Sequence, residues 1–549
     1  MIPYFAMTGA FRSRLLSLFL LVLVTGGLVV LPGCTDVGVN PQSSATANNV
    51  FTEEGSYKSY VAKLYGGLNV TGQEGPAGNG DIGAISDEGF SQYMRLYWKM
   101  QELPTDEAVI AWNDNGIRRL NNHNWTSSNQ FSVGMYSRVF FQVSQTNEFL
   151  RQSTESRLSS RGVGPERQET IEQYRAEARF LRALSYWHGI DLFGDIPLVT
   201  EDFPRGSEAP EQSTREEIFN FIESELLAIT NDENDEVLPP AGQAEYGRAD
   251  KAAAWMLLAK LYQSAPVYIG ENRSSDVIEY TERIIDANYQ LEDDYQHLFL
   301  ADNHTANGII FAIPQDGERT RHFGGTTFLA HAPVGNEMDP ASFGLDFGWA
   351  GLRTTSASVD RYSTGDNRDN FLFTQGQEKE IDDVLPSGET TDDPIGAFSQ
   401  GYAAPKFRNV TSDGQPGSNV TFPDTDFPMF RLADAYLMYA EATLRGGGGD
   451  QNRALTLLND LRERAGLGRD LSQSDLTLDF ILDERGRELF WEGQRRTDLV
   501  RFDEFTENGV WPWKGGVQGG TTTESIYNLY PIPASELRAN PNLEQNEGY

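Results

Sequence analysis

A tryptophan stands in a strongly polar stretch of the chain, ELPTDEAVIAWNDNGIRRLNNHNW, where Trp112 directly precedes Asn113, Asp114 and Asn115. Sugars present apolar C–H faces and rings of hydroxyl groups, so a saccharide site needs a flat aromatic surface flanked by hydrogen-bonding side chains. An indole in such polar surroundings is difficult to bury. The stretch therefore predicts an aromatic platform for a sugar ring, and the alternative is a loop that one ring anchors to the core.

A second group of candidate ligands consists of two carboxylates, Asp424 and Asp426, which lie two residues apart just before a predicted helix. Oxygen ligands in this arrangement suit Ca²⁺. The alternative is an acidic cluster that the positive end of a helix dipole stabilises. The residues themselves leave both interpretations open.

The sequence contains no recognisable catalytic motif: HExxH, GxSxG, a phosphate-binding loop and a dinucleotide fingerprint are all absent from it. A glycoside hydrolase needs two positioned carboxylates, and none of the 80 acidic residues stands out as such a pair. We therefore predict a binding protein rather than an enzyme, with a glycoside hydrolase as the weaker alternative.

The composition restricts the partners. A net charge of −36 repels nucleic acids and anionic lipid headgroups, so neither is an expected ligand. The chain is 39% hydrophobic and 11% aromatic, which is enough to build a large core.

The first 34 residues are typical of a bacterial lipoprotein signal. Arg12 and Arg14 precede the apolar run 15–31, which ends in the sequence LPGC. Cys34 is the only cysteine and lies where a diacylglycerol would be attached. We predict a signal peptide over 1–33, a lipid on Cys34 and a flexible tether over 34–50, and the alternative is a plain transmembrane anchor.

Helices must position any site on this chain. Apolar residues at helical spacing predict a helix from about residue 51 and further helices near 133–150, 166–192, 214–230, 248–263 and 274–287. Residues 69–130 read as loop-rich. From about 289 to 425 the helical period disappears again, apart from a short predicted strand at 309–314.

The helical pattern returns near the C-terminus. A predicted helix carries Leu432, Tyr436, Tyr439, Ala440 and Leu444 on one stripe, and four glycines at 446–449 end it. A second predicted helix follows from about Asp450, so the two form a hairpin of tetratricopeptide-like character. The run ILDERGRELFWEGQRRTDLVRF predicts one further helix with a salt-bridged face that includes Glu488, Glu492, Arg495 and Asp498.

Four runs carry a family resemblance: FLRALSYWHGIDLFGDIPLV, FRLADAYLMYAEA, ERGRELFWEGQRRTDLVRF and the closing LYPIPASELRANPNLEQNEGY. Together they resemble the SusD/RagB family of nutrient-binding outer-membrane lipoproteins. The resemblance implies a mostly α-helical fold, in which degenerate tetratricopeptide-like pairs support a loop-rich ligand-binding region. It also implies one domain over 51–549, with an N-terminal part to about 288, the loop-rich excursion 289–425 and a helical part 426–549.

The resemblance also implies site residues. Starch-binding members carry an Asp, an Arg, a Trp and an Asn that correspond here to Asp87, Arg95, Trp112 and Asn115. The glycan would stack on Trp112 while Asp87 and Arg95 bond its hydroxyl groups.

The loop-rich excursion is expected to supply the remaining contacts. Trp349 corresponds to a second family tryptophan, and Phe323 or Phe328 replaces the aromatic residue that precedes it; for the phenylalanines a small satellite core is the alternative. Some family members bind calcium in this region, which adds Asp302 to Asp424 and Asp426 as a candidate ligand.

The implied function is capture of an oligosaccharide, with a starch-like glycan as one candidate, and its delivery to a TonB-dependent SusC-like barrel. The lipid anchor would hold the protein to the outer membrane, facing the cell exterior, with the periplasmic leaflet as the alternative. The same scaffold binding peptides instead of glycans is the competing prediction.

Overall fold

Seventeen α-helices and only a few short strands form the regular structure of the described chain, and the mostly helical prediction is confirmed. The computed structural model describes residues 50–51, 55–72, 75–76, 80–83, 85, 87, 89–204, 206, 209–335, 338–372, 395–398 and 401–549. The predicted signal peptide, Cys34 and nearly all of the predicted tether lie outside these residues. Residues 51–549 form one compact unit. No helix within the described ranges is long and apolar enough to cross a membrane.

The helices, α1 to α17 in chain order, span Ser56–Asn69, Tyr93–Glu102, Arg118–Asn121, Gln130–Gln152, Glu155–Ser160, Pro165–Phe193, Arg215–Thr230, Lys251–Gln263, Ala265–Tyr268, Ser274–Ile285, Gly325–His331, Ser356–Val359, Leu432–Leu444, Gln451–Arg464, Leu478–Glu488, Arg495–Arg501 and Ala534–Ala539. Short 3₁₀ turns lie at Tyr295–Phe299, Asn303–Thr305, Pro340–Phe343, Asn367–Phe371, Lys514–Gly516 and Ser525–Asn528.

Long helices that follow one another in the chain pack against each other, as a series of helical pairs requires. Helix α4 contacts α6, α6 contacts α7, and α8 contacts α10, which in turn contacts α13. Helix α13 also contacts α14, α15 and α8, so it is enclosed on several sides. For this reason its burial extends beyond the predicted stripe to Ala435, Leu437 and Met438, while Tyr436 and Leu444 remain half-buried.

Three antiparallel two-stranded ribbons connect distant parts of the chain. Strand β1 (Val109–Ile110) pairs with β5 (Leu352–Arg353), and β2 (Ile196–Pro197) pairs with β3 (Gln212–Ser213). The predicted strand β4 (Ile309–Ile313) is present and pairs with β6 (Phe427–Arg431), immediately before α13. Asp424 and Asp426 therefore precede a strand, so the helix-dipole interpretation of this acidic pair is wrong.

Two helix predictions are wrong. Helix α2 lies inside the segment 69–130, which was predicted to be loop-rich; all ten of its residues are buried, including the charged Arg95, Lys99 and Glu102. The single helix predicted from residue 481 onward is two helices, α15 and α16. Between them Trp491 (φ 60°) and Gly493 (φ 75°) adopt left-handed backbone conformations that end helical geometry.

The charges of this broken helix do not form the single salt-bridged face that was predicted. Glu488 is fully buried and accepts hydrogen bonds from Arg464 (2.6 Å), Arg431 (3.1 Å) and Arg368 (3.2 Å). These three arginines lie in α14, β6 and the Asn367–Phe371 turn. Burial by itself would raise the pKa of Glu488, but the three guanidinium groups lower it to about 2.

We predict that Glu488→Gln lowers the free energy of unfolding by about 3–5 kcal/mol, because three buried guanidinium groups lose their shared carboxylate. Urea unfolding of the purified protein measures the change. Glu279→Gln is the matched control, since Glu279 pairs with Arg283 at 2.6 Å with both side chains about half exposed (52% and 48%). The control should cost under about 1 kcal/mol. Equal losses in the two variants would contradict the prediction.

Acid should unfold the protein through the same groups. The pKa of Glu488 and of Glu441 is about 2 in the folded chain, below the value of about 4.3 of an unfolded glutamate. Their stabilising contribution is therefore complete above about pH 4.3 and is lost as the pH falls toward 2. We expect the melting temperature to decline steadily between about pH 5 and 2. A constant melting temperature over that range would rule out this linkage.

Candidate functional site

The ribbon formed by β1 and β5 brings two tryptophans together. Val109 pairs with Arg353 and Ile110 with Leu352. Trp112 follows β1 by two residues and Trp349 precedes β5 by three, so antiparallel pairing carries both to the same end of the ribbon. The indole N–H of Trp112 donates to the backbone oxygen of Trp349 (3.1 Å), and the ring centroids lie 6.3 Å apart with planes inclined by 41°.

Gly351 allows the indole of Trp112 to lie directly on the backbone of the opposite strand. A Cβ atom at position 351 would stand 2.4 Å from Cε2 of Trp112, which is too close for any other residue without movement of the ring. The backbone on the other side is held by Arg118, whose guanidinium donates to the oxygens of Ala111 (2.7 Å) and Trp112 (3.0 Å). The ring of Trp112 is half-buried as a result.

Helix α2 supplies the next part of the site. Arg95 lies on its first turn with only 3% of its surface exposed, and it donates from Nη1 to the backbone oxygen of Phe323 (2.7 Å). The side-chain oxygen of Gln92 caps α2 at the nitrogen of Arg95 and also accepts from the nitrogen of Gly325 (2.9 Å). The segment that carries Phe323 is thereby fixed to the start of α2.

These elements enclose one side of an open cavity of about 630 Å³. It is lined by Asp87, Phe90, Arg95, Trp112, Asn113, Asp114, Phe323, Phe347 and Trp349. Five of the six predicted glycan contacts thus lie together, namely Asp87, Arg95, Trp112, Phe323 and Trp349. Because half-buried aromatic faces and exposed polar groups meet here, the cavity has the chemistry that a sugar requires.

Two of the candidate site residues, Asn115 and Phe328, do not line the cavity. Asn115 is exposed but does not line the cavity; its backbone oxygen accepts from Gln130 (2.9 Å), and Asn113 and Asp114 line the cavity in its place. Phe328 is fully buried and packs edge-on against Trp98 at 5.5 Å, so of the two candidate phenylalanines only Phe323 faces the cavity.

The guanidinium of Arg95 already contacts two aromatic rings and one backbone oxygen of the protein. Its guanidinium carbon lies 4.3 Å from the ring centroid of Phe90 and 4.5 Å from that of Phe328. Lys99 follows one turn later, and burial lowers its pKa well below the usual value, with Arg95 lowering it further and Asp114 and Asp87 opposing the shift. Arg95 therefore lines the cavity as a guanidinium that the backbone oxygen of Phe323 and the rings of Phe90 and Phe328 already contact.

Sequence reasoning missed Phe90 and Phe347 as lining residues. Phe90 stands next to the predicted Asp87, whose carboxylate accepts from the nitrogen of Phe90 (3.0 Å). Phe347 stands two residues before Trp349 in the run DFGWAGL. The available signal was the closeness in sequence of Phe90 to the predicted Asp87 and of Phe347 to the predicted Trp349.

The three candidate calcium ligands are not brought together. The carboxylate of Asp302 accepts hydrogen bonds from Ser412. The carboxylate of Asp424 accepts from Gly317 and Ser418. The carboxylate of Asp426 accepts from Gln315 and Tyr246. Burial raises the pKa of Asp426 to about 6. Within the described parts of the chain, no three His, Cys, Asp or Glu side chains are grouped so that they could hold a metal ion. These residues do not fit a calcium site, because protein donors already occupy their oxygens; calcium binding stays a prediction without support from the geometry.

Comparison with known proteins agrees with this fold. Residues 379–549 match the profile of the SusD family. The chain is 36% identical to the starch-binding protein SusD of Bacteroides thetaiotaomicron, over 98% of this chain and 99% of that protein. It is 25% identical to the SusD-like protein P2 of Formosa agariphila, over 95% of this chain and 98% of that protein.

Solved structures share the fold at low sequence identity. Surface glycan-binding protein A from Bacteroides fluxus superposes with a TM-score of 0.68 at 23% identity, covering 90% of this chain and all of that one (100%). The corresponding protein from Bacteroides thetaiotaomicron in complex with laminarihexaose gives 0.66 at 20% identity, covering 89% of this chain and 98% of that one. The identity to the curated starch-binding protein extends over almost the whole length of both chains, and this chain belongs to the SusD family.

Proposed function

We propose that this protein binds an oligosaccharide, of the starch-like α-glucan class, in the cavity between Trp112 and Trp349. The observation that carries the proposal is the pair of half-buried indoles, 6.3 Å apart, which stand open to a cavity with Asp87, Asn113 and Asp114 at its edge. The name of the 36% identical relative, a starch-binding protein, supports the same ligand class.

The inclination of the aromatic rings favours a curved glycan. Trp112 and Trp349 are inclined by 41°, and Phe323 and Trp349 by 55° with centroids 6.2 Å apart. A sugar chain whose successive rings turn relative to one another can lie against all three surfaces. A flat, extended chain would meet only one ring face at a time.

Binding needs no covalent step in this proposal. Stacking and hydrogen bonds hold the glycan, and the absence of a catalytic motif from the sequence agrees with a capture role. We place the protein at the outer membrane, anchored through Cys34 and facing the exterior, where it hands the glycan to a TonB-dependent SusC-like barrel. The lipoprotein pattern and membership in the SusD family support this part.

We predict that Trp112→Ala weakens glycan binding by about tenfold or more, because the variant loses the central stacking surface. Affinity electrophoresis in gels containing amylopectin, laminarin or no polysaccharide measures the retardation. Trp255→Ala is the matched control, since Trp255 is half-buried in α8 and does not line the cavity. We expect amylopectin to retard the wild type and the control but not Trp112→Ala.

Other results would favour the competing functions. Unchanged migration of the wild type in every polysaccharide gel, together with binding of peptides that Trp112→Ala leaves intact, would favour a peptide-binding protein. Release of reducing sugars from amylopectin by the purified protein would indicate a hydrolase.

The lipid anchor gives a separate prediction. Cys34→Ser should move the protein from the membrane fraction to the soluble fraction and abolish incorporation of labelled fatty acid, because the acylated thiol is missing. Protease treatment of intact cells should degrade the wild type if the protein faces the exterior. Membrane retention of Cys34→Ser would instead support a transmembrane anchor over residues 15–31.

A further inference from the structure

Phe347 is the only exposed phenylalanine or tryptophan in the part of the chain that the structure describes, with 51% of its surface accessible. An exposed apolar ring contributes little to folding, since its surface remains in contact with water. The ring also lines the cavity that holds Trp112 and Trp349. Its position therefore suggests a contact that is made only when a ligand is present.

The backbone around Phe347 is fixed on both sides. The nitrogen of Asp346 donates to the oxygen of Val420 (3.1 Å), and the hydroxyl of Thr421 donates to the carboxylate of Asp346 (2.6 Å). The nitrogen of Trp349 donates to the backbone oxygen of His331 (2.9 Å). The exposed ring thus stands on a rigid support.

A buried imidazole connects the ring of Phe347 to the platform formed by Trp349. His331 stacks on Trp349 with centroids 4.8 Å apart and planes inclined by 21°, and its ring lies 5.6 Å from that of Phe347. Its Nδ1 lies 2.7 Å from the backbone oxygen of Phe347, and its Nε2 lies 3.0 Å from that of Thr421. Phe347 and Trp349 therefore keep a fixed relation to each other.

We propose that Phe347 is an additional stacking surface that lengthens the glycan site beyond the Trp112–Trp349 pair, so that the protein prefers longer oligosaccharides. The proposal rests on the glycan-binding function above. A phenyl ring offers no hydrogen bond, so it contributes by covering the apolar face of one further sugar ring. Because its backbone is already fixed, binding costs little additional ordering of the protein.

Oligosaccharides of different length test the proposal. Titration calorimetry with maltotriose and maltoheptaose compares the wild type, Phe347→Ala, Phe347→Tyr and Trp112→Ala. We expect Phe347→Ala to weaken maltoheptaose binding by about five- to tenfold and maltotriose binding by less than about twofold. Phe347→Tyr should retain the affinity for maltoheptaose, since the stacking surface is preserved, and Trp112→Ala should lose both ligands.

Leu227→Ala is the matched control, because Leu227 is also an exposed apolar residue (40%) and does not line the cavity. Its binding should equal that of the wild type. Wild-type affinity of Phe347→Ala for both sugars would overturn the proposal while leaving glycan binding intact, and would assign the exposed ring to a protein partner instead. An equal loss for both sugars would place Phe347 in the central site and overturn the dependence on length. Failure of the wild type to bind either sugar would overturn this inference and the starch-like assignment together.

Discussion

The fold depends on a group of buried carboxylates that share guanidinium groups across distant segments. Glu488 joins α14, β6 and the Asn367–Phe371 turn through three arginines, and Asp434 of α13 accepts from Lys260 of α8 and from Arg485 of α15. Each buried charge requires its partners, since an unpaired one would cost several kcal/mol. This requirement restricts how the helices can pack more than apolar contacts alone would. The break between α15 and α16 contains Trp491, whose side chain is fully buried.

Trp491 connects these buried ion pairs to the elements that carry the cavity residues. Its backbone nitrogen and indole N–H both donate to Glu107 (3.1 and 2.9 Å), and its backbone oxygen accepts from Trp98 of α2 (2.9 Å). Glu107 lies two residues before β1, so the helix that carries Arg95 and the ribbon that carries Trp112 are both anchored to the same tryptophan. Hydrogen bonds to the buried Trp491 therefore hold both elements that carry the aromatic residues and Arg95 of the cavity.

Local periodicity was sufficient to predict long helices such as α4, α7 and α10, which each bury a repeating set of apolar residues. It did not lead to a prediction of α2, a helix of only ten residues between irregular segments, nor of the break at Trp491 and Gly493, where the sequence keeps helical spacing. At the site, the family resemblance indicated residues that the cavity does bring together. It did not indicate that Asn113, Asp114 and Phe347 line the cavity, or that Asn115 does not. Which of these side chains face the cavity depends on how the ribbon packs against the segment 344–349.

The site is organised before any ligand arrives. Arg118 holds the backbone at Trp112, Arg95 holds it at Phe323, and His331 lies against both Phe347 and Trp349. Burial lowers the pKa of His331, while the backbone oxygens of Phe347 and Thr421, which its two ring nitrogens face, oppose this shift. Because these side chains and their backbone are already ordered, the protein loses little conformational entropy on binding, and modest stacking contacts can give useful affinity. Arg95 lines the cavity, and the backbone oxygen of Phe323 already holds its guanidinium, so a sugar meets a hydrogen-bond donor that is in place before binding.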